Sequence, residues 1–180
     1  WLYSYFIENY LFLHITGLFP LDNVVDFAQD KKKIASDIFL ANKNLIDETD
    51  IVIANLNPFR GKEPDAGTVW ECGYASGLGK DVYAYIDSDL TYIERFGENE
   101  KHIADDNLSF DVDNRLIEDF EHPFNLMIAC SVKKIVVGTF KDVLKNIEKF
   151  KISSEEALSI YDIDDIINKM SSITSPQYRK

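Results

Sequence analysis

Cysteine and histidine are scarce in this sequence. Of 180 residues, only Cys72 and Cys130 are cysteines, and neither belongs to a C-x-x-C pair. The three histidines, His14, His102 and His122, show no paired spacing either. Zinc sites and disulfide frameworks need such residues in sets at short, defined spacings. The sequence therefore predicts neither, and we expect no metal site.

Positive charge is also in short supply. The sequence has 19 Lys and Arg residues and 31 Asp and Glu residues, which gives a net charge of −12. Nucleic-acid backbones and anionic membranes are bound by clustered Lys and Arg, so we expect neither as a partner. The sequence has no apolar run long enough to span a bilayer and no convincing signal peptide, so we expect a cytoplasmic location.

Glycine-rich phosphate-binding motifs are missing as well. Gly73, Gly77 and Gly79 lie within or at the end of a predicted helix. Phosphate loops and dinucleotide fingerprints instead place glycines where a helix begins. We therefore expect no nucleotide cofactor, and none of any other kind.

The remaining composition is that of an ordinary globular protein. Hydrophobic residues make up 46% and aromatic residues 13%, which predicts a single domain over residues 1–180. Helical patterns separate four short apolar runs, near residues 16–20, 50–56, 81–86 and 133–138. This alternation predicts an α/β fold with a doubly wound, mostly parallel sheet and helices on both faces. Helical patterns at 140–150 and 154–170 predict a helical C-terminal extension from about residue 140.

Three other segments give distinct predictions. Residues 1–14 are apolar almost throughout, which predicts a buried helix, with a strand as the alternative. Residues 31–47 have the pattern of an amphipathic helix. Residues 87–114 are acidic and irregular, which predicts a solvated surface loop or a binding lid. A calcium loop is disfavoured there because no Asp-x-Asp-x-Asp-Gly spacing occurs.

The stretch from 50 to 80 is where chemistry is expected. Its pattern predicts a buried strand, a polar loop, and a short helix entered through Thr68 and closed by Gly79. Open α/β sheets place ligands outside the carboxyl ends of their strands, which is where Asp65 and Glu71 lie. The spacing also fits a capping box between Thr68 and Glu71, and Asp65 could form only a local Asx turn. The residues alone leave both structural interpretations open.

Four motifs in the chain resemble one enzyme family, in the family's order. The central motif is Asp65-Ala-Gly-Thr-x-x-Glu-x-Gly-Tyr-Ala, preceded by Asn57-Pro-Phe-Arg-Gly. The others are Gly17-Leu-Phe-Pro-Leu-Asp-Asn23, Ile38-Phe-Leu-Ala-Asn42 with Ile46 and Asp50, and Asn125-Leu-Met127. Together they resemble the nucleoside 2-deoxyribosyltransferase family over roughly residues 17 to 138.

The resemblance implies the reaction and its two central residues. It implies transfer of a 2-deoxyribosyl group between nucleobases, in nucleoside salvage. Glu71 matches the family's nucleophile, a carboxylate that forms a covalent glycosyl intermediate and so retains configuration. A position at a helix N-terminus would keep it ionised. Asp65 would hydrogen-bond the base and help protonate its leaving nitrogen.

The resemblance also implies substrate-binding residues and an assembly. It places Asn42, Phe59 and Gly67 at substrate-binding positions, and Asn125 where a residue reaches into a neighbouring subunit's site. From the residues alone, Asn42 is more simply a solvated mid-helix side chain and Asn125 a helix N-cap. Shared sites imply a homodimer or a higher even homo-oligomer that takes deoxynucleosides and free nucleobases.

The family's fold is a five-stranded flavodoxin-like sheet whose first strand ends in a glycine-containing loop. No such segment is recognisable in residues 1–14, so we expect that residues are missing upstream of this numbering.

Two rival functions remain open. One is an N-glycoside hydrolase of the same superfamily acting on a nucleoside or a nucleoside 5′-monophosphate, for which Arg60 is the one candidate phosphate ligand. The other is a non-catalytic nucleoside-binding module. An exchange assay with a deoxynucleoside and an acceptor base separates them, because only the transferase makes a new nucleoside.

Overall fold

The computed structural model describes residues 4–8, 16–20, 23–104 and 108–147. Along these ranges the first elements are β1 Ser4–Glu8, β2 Thr16–Leu18, α1 Lys31–Glu48, β3 Ile51–Asn55, α2 Ala66–Gly77 and β4 Asp81–Ile86. They are followed by β5 Lys101–Ile103, β6 Ser109–Asp111, β7 Leu116–Ile117, α3 Leu126–Ala129, β8 Lys134–Val137 and α4 Phe140–Asn146.

The main sheet has a parallel core. Its hydrogen-bonded order is β2-β1-β3-β4-β8. Strands β3, β4 and β8 are parallel, whereas β1 is antiparallel to both β2 and β3. The four strands predicted from apolar runs, β2, β3, β4 and β8, therefore all point the same way. The prediction of a mixed α/β fold with parallel strands is confirmed.

The helix predicted over residues 1–14 is wrong for Ser4–Glu8, which form β1. A short apolar run fits a buried strand as well as a buried helix, so periodicity alone could not separate the two. Pairing with β2 on one side and β3 on the other gives β1 a ladder on both edges. The remainder of the 1–14 segment lies outside the described residues.

Helices cover both faces of the sheet. Alternate residues of a strand point to opposite faces, and in β3 Val52 and Ala54 pack with residues of α1, α2 and α3. Ile51 and Ile53 pack on the other face with residues of α4. The face with Val52 and Ala54 thus packs on α1 and α2, the helices that carry Asn42 and Glu71. None of the helices in the described ranges is both long and apolar enough to cross a membrane.

The prediction of an irregular loop over residues 87–114 is wrong in its second half. Strands β5, β6 and β7 form a small antiparallel sheet, preceded by 3-10 turns at Ile93–Arg95 and Glu98–Glu100. The β6–β7 turn is closed at Asn114, which has φ 61°, a left-handed conformation that Asn tolerates better than most residues. The strands are only two or three residues long, too short to produce a readable alternation. The predicted C-terminal helices are described only over α4, because residues 148–180 lie outside the described ranges.

Candidate active site

The loop after β3 begins where the strand ends, at the carboxyl edge of the sheet. The Asn55 side-chain oxygen accepts from the backbone N–H and the side-chain amide of Asn57, at 3.1 and 2.9 Å. The Asn57 oxygen accepts in turn from the N–H of Asp87, just beyond β4, at 2.8 Å. These bonds fix the start of the loop across the ends of two neighbouring parallel strands, the usual position of an α/β ligand site.

The loop then makes a tight turn that carries Phe59. The Phe59 N–H donates to the carbonyl of Glu63 at 2.8 Å. Between them Arg60 has φ 54° and Gly61 has φ 155°, so the backbone reverses within a few residues. The guanidinium of Arg60 lies 4.8 Å from the centroid of the Phe59 ring, which is half-buried. The turn therefore holds an aromatic ring and a cation next to each other at the edge of the sheet.

Helix α2 begins three residues earlier than predicted. Its N-cap is Asp65, whose Oδ2 accepts from the Thr68 N–H at 3.1 Å and from the Thr68 hydroxyl at 3.4 Å. The prediction that the helix is entered through Thr68 is wrong, and so is the capping box with Glu71. An Asp is as good an N-cap as Ser or Thr, and Pro64 before it disfavours a helical conformation one residue further upstream. Gly67 lies in the first turn, where an added Cβ would come within 3.1 Å of Asp65 Oδ2.

Glu71 therefore lies in the second turn of α2 rather than at its end. Its side chain is buried, with 9% of its surface exposed, and Oε1 accepts from the Asn42 amide at 3.3 Å. Asn42 projects from α1, and its own oxygen accepts from the Asn23 amide at 3.0 Å. The structure thus brings together Asn42 and Glu71, two of the residues singled out in the sequence. The expected N-terminal dipole does not act directly on Glu71, since that effect is confined to the first turn.

Cys72 is excluded as a competing nucleophile. Burial raises the pKa of its thiol to about 12, and the neighbouring charge of Glu71 adds to the effect. The thiolate is the reactive form of cysteine, so this side chain stays protonated and inert. Of these two neighbouring side chains, only the carboxylate of Glu71 remains as a candidate nucleophile.

Asn125 bonds to residues of its own part of the chain. It is the N-cap of α3, and its oxygen accepts from the Met127 N–H at 2.9 Å. Its amide donates to Glu118 at 2.6 Å, and Glu118 also accepts from the Leu126 N–H at 3.0 Å. The structural alternative for Asn125, a helix N-cap, is therefore present in the structure.

Two residues of this arrangement were not singled out in the sequence. Asn23 ends the motif that begins at Gly17, at the carboxyl end of β2, and that position was the available signal. Glu118 stands before a turn without a recognisable motif, and only the fold places it beside Asn125. Among the residues that the structure describes, no three His, Cys, Asp or Glu side chains are grouped so as to hold a metal ion.

A comparison with known protein families covers the residues of this arrangement. The sequence model of the nucleoside 2-deoxyribosyltransferase family matches residues 2–127, most of the chain. The chain belongs to this family. The match includes every residue of the arrangement, from Asn23 to Asn125, and it also includes Met127.

A similar solved structure supports the family assignment. The 2-desoxiribosyltransferase from Leishmania mexicana is 30% identical to the chain, with a TM-score of 0.50. The similarity covers 78% of this chain and 77% of that one. No curated protein matches the chain significantly in sequence.

The N-cap of α2 allows the structural role of Asp65 to be measured alone. We expect Asp65→Ala to lower the free energy of unfolding by about 1 kcal/mol, because the Thr68 N–H loses its acceptor. We expect Asp65→Asn to change it by less than about 0.5 kcal/mol, because Asn caps as well as Asp. Urea unfolding followed by circular dichroism measures both. Equal losses in the two variants would show that the charge, not the cap, is what α2 needs.

Proposed function

We propose that this protein transfers 2-deoxyribosyl groups between nucleobases through a covalent intermediate on Glu71. The observation that carries the proposal is the buried Glu71 carboxylate held by the amide of Asn42, which is itself held by Asn23. A buried carboxylate is costly unless hydrogen bonds compensate it. Proteins often bury an ionisable group at this cost in free energy where the group takes part in a reaction.

The chemistry follows from that carboxylate. A Glu71 oxygen attacks the anomeric carbon, the C–N glycosidic bond breaks, and its electron pair leaves with the base nitrogen, which takes up a proton. A nitrogen of a second base then attacks the same carbon from the vacated face and gives up its proton, and the bond to Glu71 breaks to release the carboxylate. Two inversions give net retention, as in retaining glycosidases. The bond from Asn42 would fix the orientation of the Glu71 carboxylate relative to the sugar.

Asp65 and Phe59 are proposed to handle the base. Asp65 stands six residues before Glu71, a helical rise of about 9 Å, which separates a base-binding group from a sugar-binding one. A carboxyl group at that distance can hydrogen-bond the base and supply a proton to its leaving nitrogen. The Phe59 ring offers a flat apolar surface for a base, and Gly67 leaves space beside the Asp65 carboxylate. A neutral nucleoside suits a chain with a net charge of −12.

The wider expectations are part of the same proposal. We infer a single domain over residues 1–180, built on a flavodoxin-like, doubly wound sheet. We also infer an enzyme of nucleoside salvage that works in the cytoplasm without a cofactor. The parallel core of β3, β4 and β8 supports the fold, and the composition supports the location.

Asn125 is proposed to complete the site of a second subunit. Its N-cap bond to Met127 and its bond to Glu118 fix the start of α3, and Met127 and Phe120 nearby are exposed by 72% and 59%. An apolar surface next to a polar side chain of fixed orientation is typical of a subunit contact. A closed arrangement would give a homodimer or a higher even homo-oligomer.

Glu71→Gln separates catalysis from packing. Gln keeps the size of the side chain and can still accept from Asn42, but it cannot form the ester. We expect the variant to fold with unchanged unfolding free energy and to lose about 5 kcal/mol or more of transition-state stabilisation. Conversion of a deoxynucleoside and a second base to the new nucleoside measures it by chromatography. Glu48→Gln, an exposed change at the end of α1, is the charge-matched control.

Three results would contradict the proposal. Exchange by Glu71→Gln at near the parental rate would remove the nucleophile assignment. Release of free sugar by the parent without a new nucleoside would identify a hydrolase. Tight nucleoside binding with no release of base would identify a binding module.

Shared sites predict complementation between two inactive variants. Glu71→Ala and Asn125→Ala homo-oligomers should each be impaired, whereas mixed oligomers should regain activity at the sites that combine two intact surfaces. Co-expression with two different tags and purification through both isolates the mixed form. Full activity of a monomer in size-exclusion chromatography would refute the shared site.

A further inference from the structure

A single lysine fastens the loop of residues 57–65 to a neighbouring segment of the chain. The Lys62 ammonium donates to the carbonyl of Arg95 at 2.8 Å and to Glu100 Oε2 at 2.8 Å. It also lies 4.7 Å from the centroid of the Phe96 ring. Three contacts of different chemistry, all from residues 95–100, therefore surround one ammonium group.

The segment that receives Lys62 is itself held in place. Glu100 Oε2 also accepts from the Gly97 N–H at 2.8 Å, and these two hydrogen bonds, the one from Lys62 first, lower the pKa of Glu100. The Lys101 ammonium donates to the carbonyl of Phe96 at 3.1 Å. Hydrogen bonds within the segment thus hold the groups that Lys62 contacts.

The residue after Lys62 contacts Tyr92, just before that segment. Burial raises the pKa of Tyr92, and hydrogen bonding to the side chain of Glu63 raises it further, so the phenol stays protonated as a donor. The N–H of Tyr92 donates to the carbonyl of His122 at 2.7 Å. Tyr92 therefore lies between the loop and the chain that leads to Asn125.

A shift of Lys62 would also move Phe59 and Asp65, the residues proposed to bind the base. The Phe59 N–H is bonded to the carbonyl of Glu63, so Lys62 lies inside the turn that carries the Phe59 ring. Asp65 follows three residues later and caps α2. Arg60, within the same turn, has a left-handed backbone, a conformation that persists only where the surroundings hold it.

We propose that Lys62 is a positioning residue that latches the 57–65 loop against residues 95–100 and so sets how tightly the nucleobase is held. The kinetic part rests on the proposed function. The side chains of Lys62 and Glu100 are 30% and 53% exposed, and exposed pairs of this kind contribute little to global stability. The latch therefore acts on the loop's position and not on the fold.

Amide hydrogen exchange tests the latch without any substrate. In Lys62→Met, which keeps the length of the side chain, the Phe59 amide should exchange about fivefold faster, the scale of one lost exposed ion pair with its cation–π contact. Amides of β3 should not change. Lys62→Arg, which keeps charge and donors, should restore most of the protection.

A matched control lies at the opposite ends of the parallel strands. Lys133 pairs with Asp81 at 2.8 Å and lies 5.8 Å from the ring centroid of Tyr83, which reproduces the ion pair and the cation–π contact of Lys62. Lys133 precedes β8 and Asp81 begins β4, so this pair is at the amino ends of the strands. Lys133→Met should leave the exchange of the Phe59 amide unchanged.

Kinetics test the consequence for the base. In Lys62→Met the KM for the acceptor base should rise about fivefold while kcat changes by less than about twofold. Added salt should raise that KM in the parent, because it screens the exposed pair, and should have little effect in the variant. Glu100→Gln removes the same ion pair from the other side and should act in the same direction.

The two proposals fail separately. Unchanged exchange of the Phe59 amide in Lys62→Met and in Glu100→Gln overturns the latch. An unchanged KM in an enzyme that exchanges bases also overturns its role in base binding. A parent protein that exchanges no bases overturns the proposed function, and the amide measurement still decides the latch.

Discussion

The arrangement of this site depends on the need to satisfy one buried carboxylate. Glu71 is removed from water in the second turn of α2, where an unpaired charge would cost several kcal/mol. The amide of Asn42 on α1 meets one of its oxygens, and Asn23 beyond β2 fixes the orientation of that amide. Three elements distant in sequence must therefore pack correctly for these hydrogen bonds to form. The same constraint aims the group that we propose as the nucleophile.

The scaffold places the two halves of the proposed substrate by different means. The sugar side is built on helices that pack against one face of β3. The base side is built on the loop of residues 57–65, which is held by turns, a helix cap and a lysine latch. This division suits an enzyme that keeps one sugar while exchanging bases, since only the base must leave and be replaced during turnover.

Much of this could be predicted from the sequence, because the parallel strands are short apolar runs and the helix of residues 31–47 has a clear amphipathic pattern. The motif around Glu71 predicted a candidate site at the loop and helix that follow β3. The start of α2 could not be predicted, because Asp65 and Thr68 are both good N-caps and only packing chooses between them. The strand Ser4–Glu8 was only the alternative to a predicted helix, and the sheet of β5, β6 and β7 was missed, because their runs are too short to show a period. The contact between Asn23 and Asn42 is a tertiary one that no local pattern encodes.

The most direct test of a nucleophilic Glu71 is mass spectrometry of the parent protein, quenched with acid during turnover of a deoxynucleoside. A covalent mechanism predicts that the peptide containing Glu71 gains the mass of one deoxyribosyl group, that fragmentation places it on Glu71, and that an acceptor base removes it. Persistent absence of the adduct while bases are exchanged, or its location on another carboxylate, would contradict the central role of Glu71.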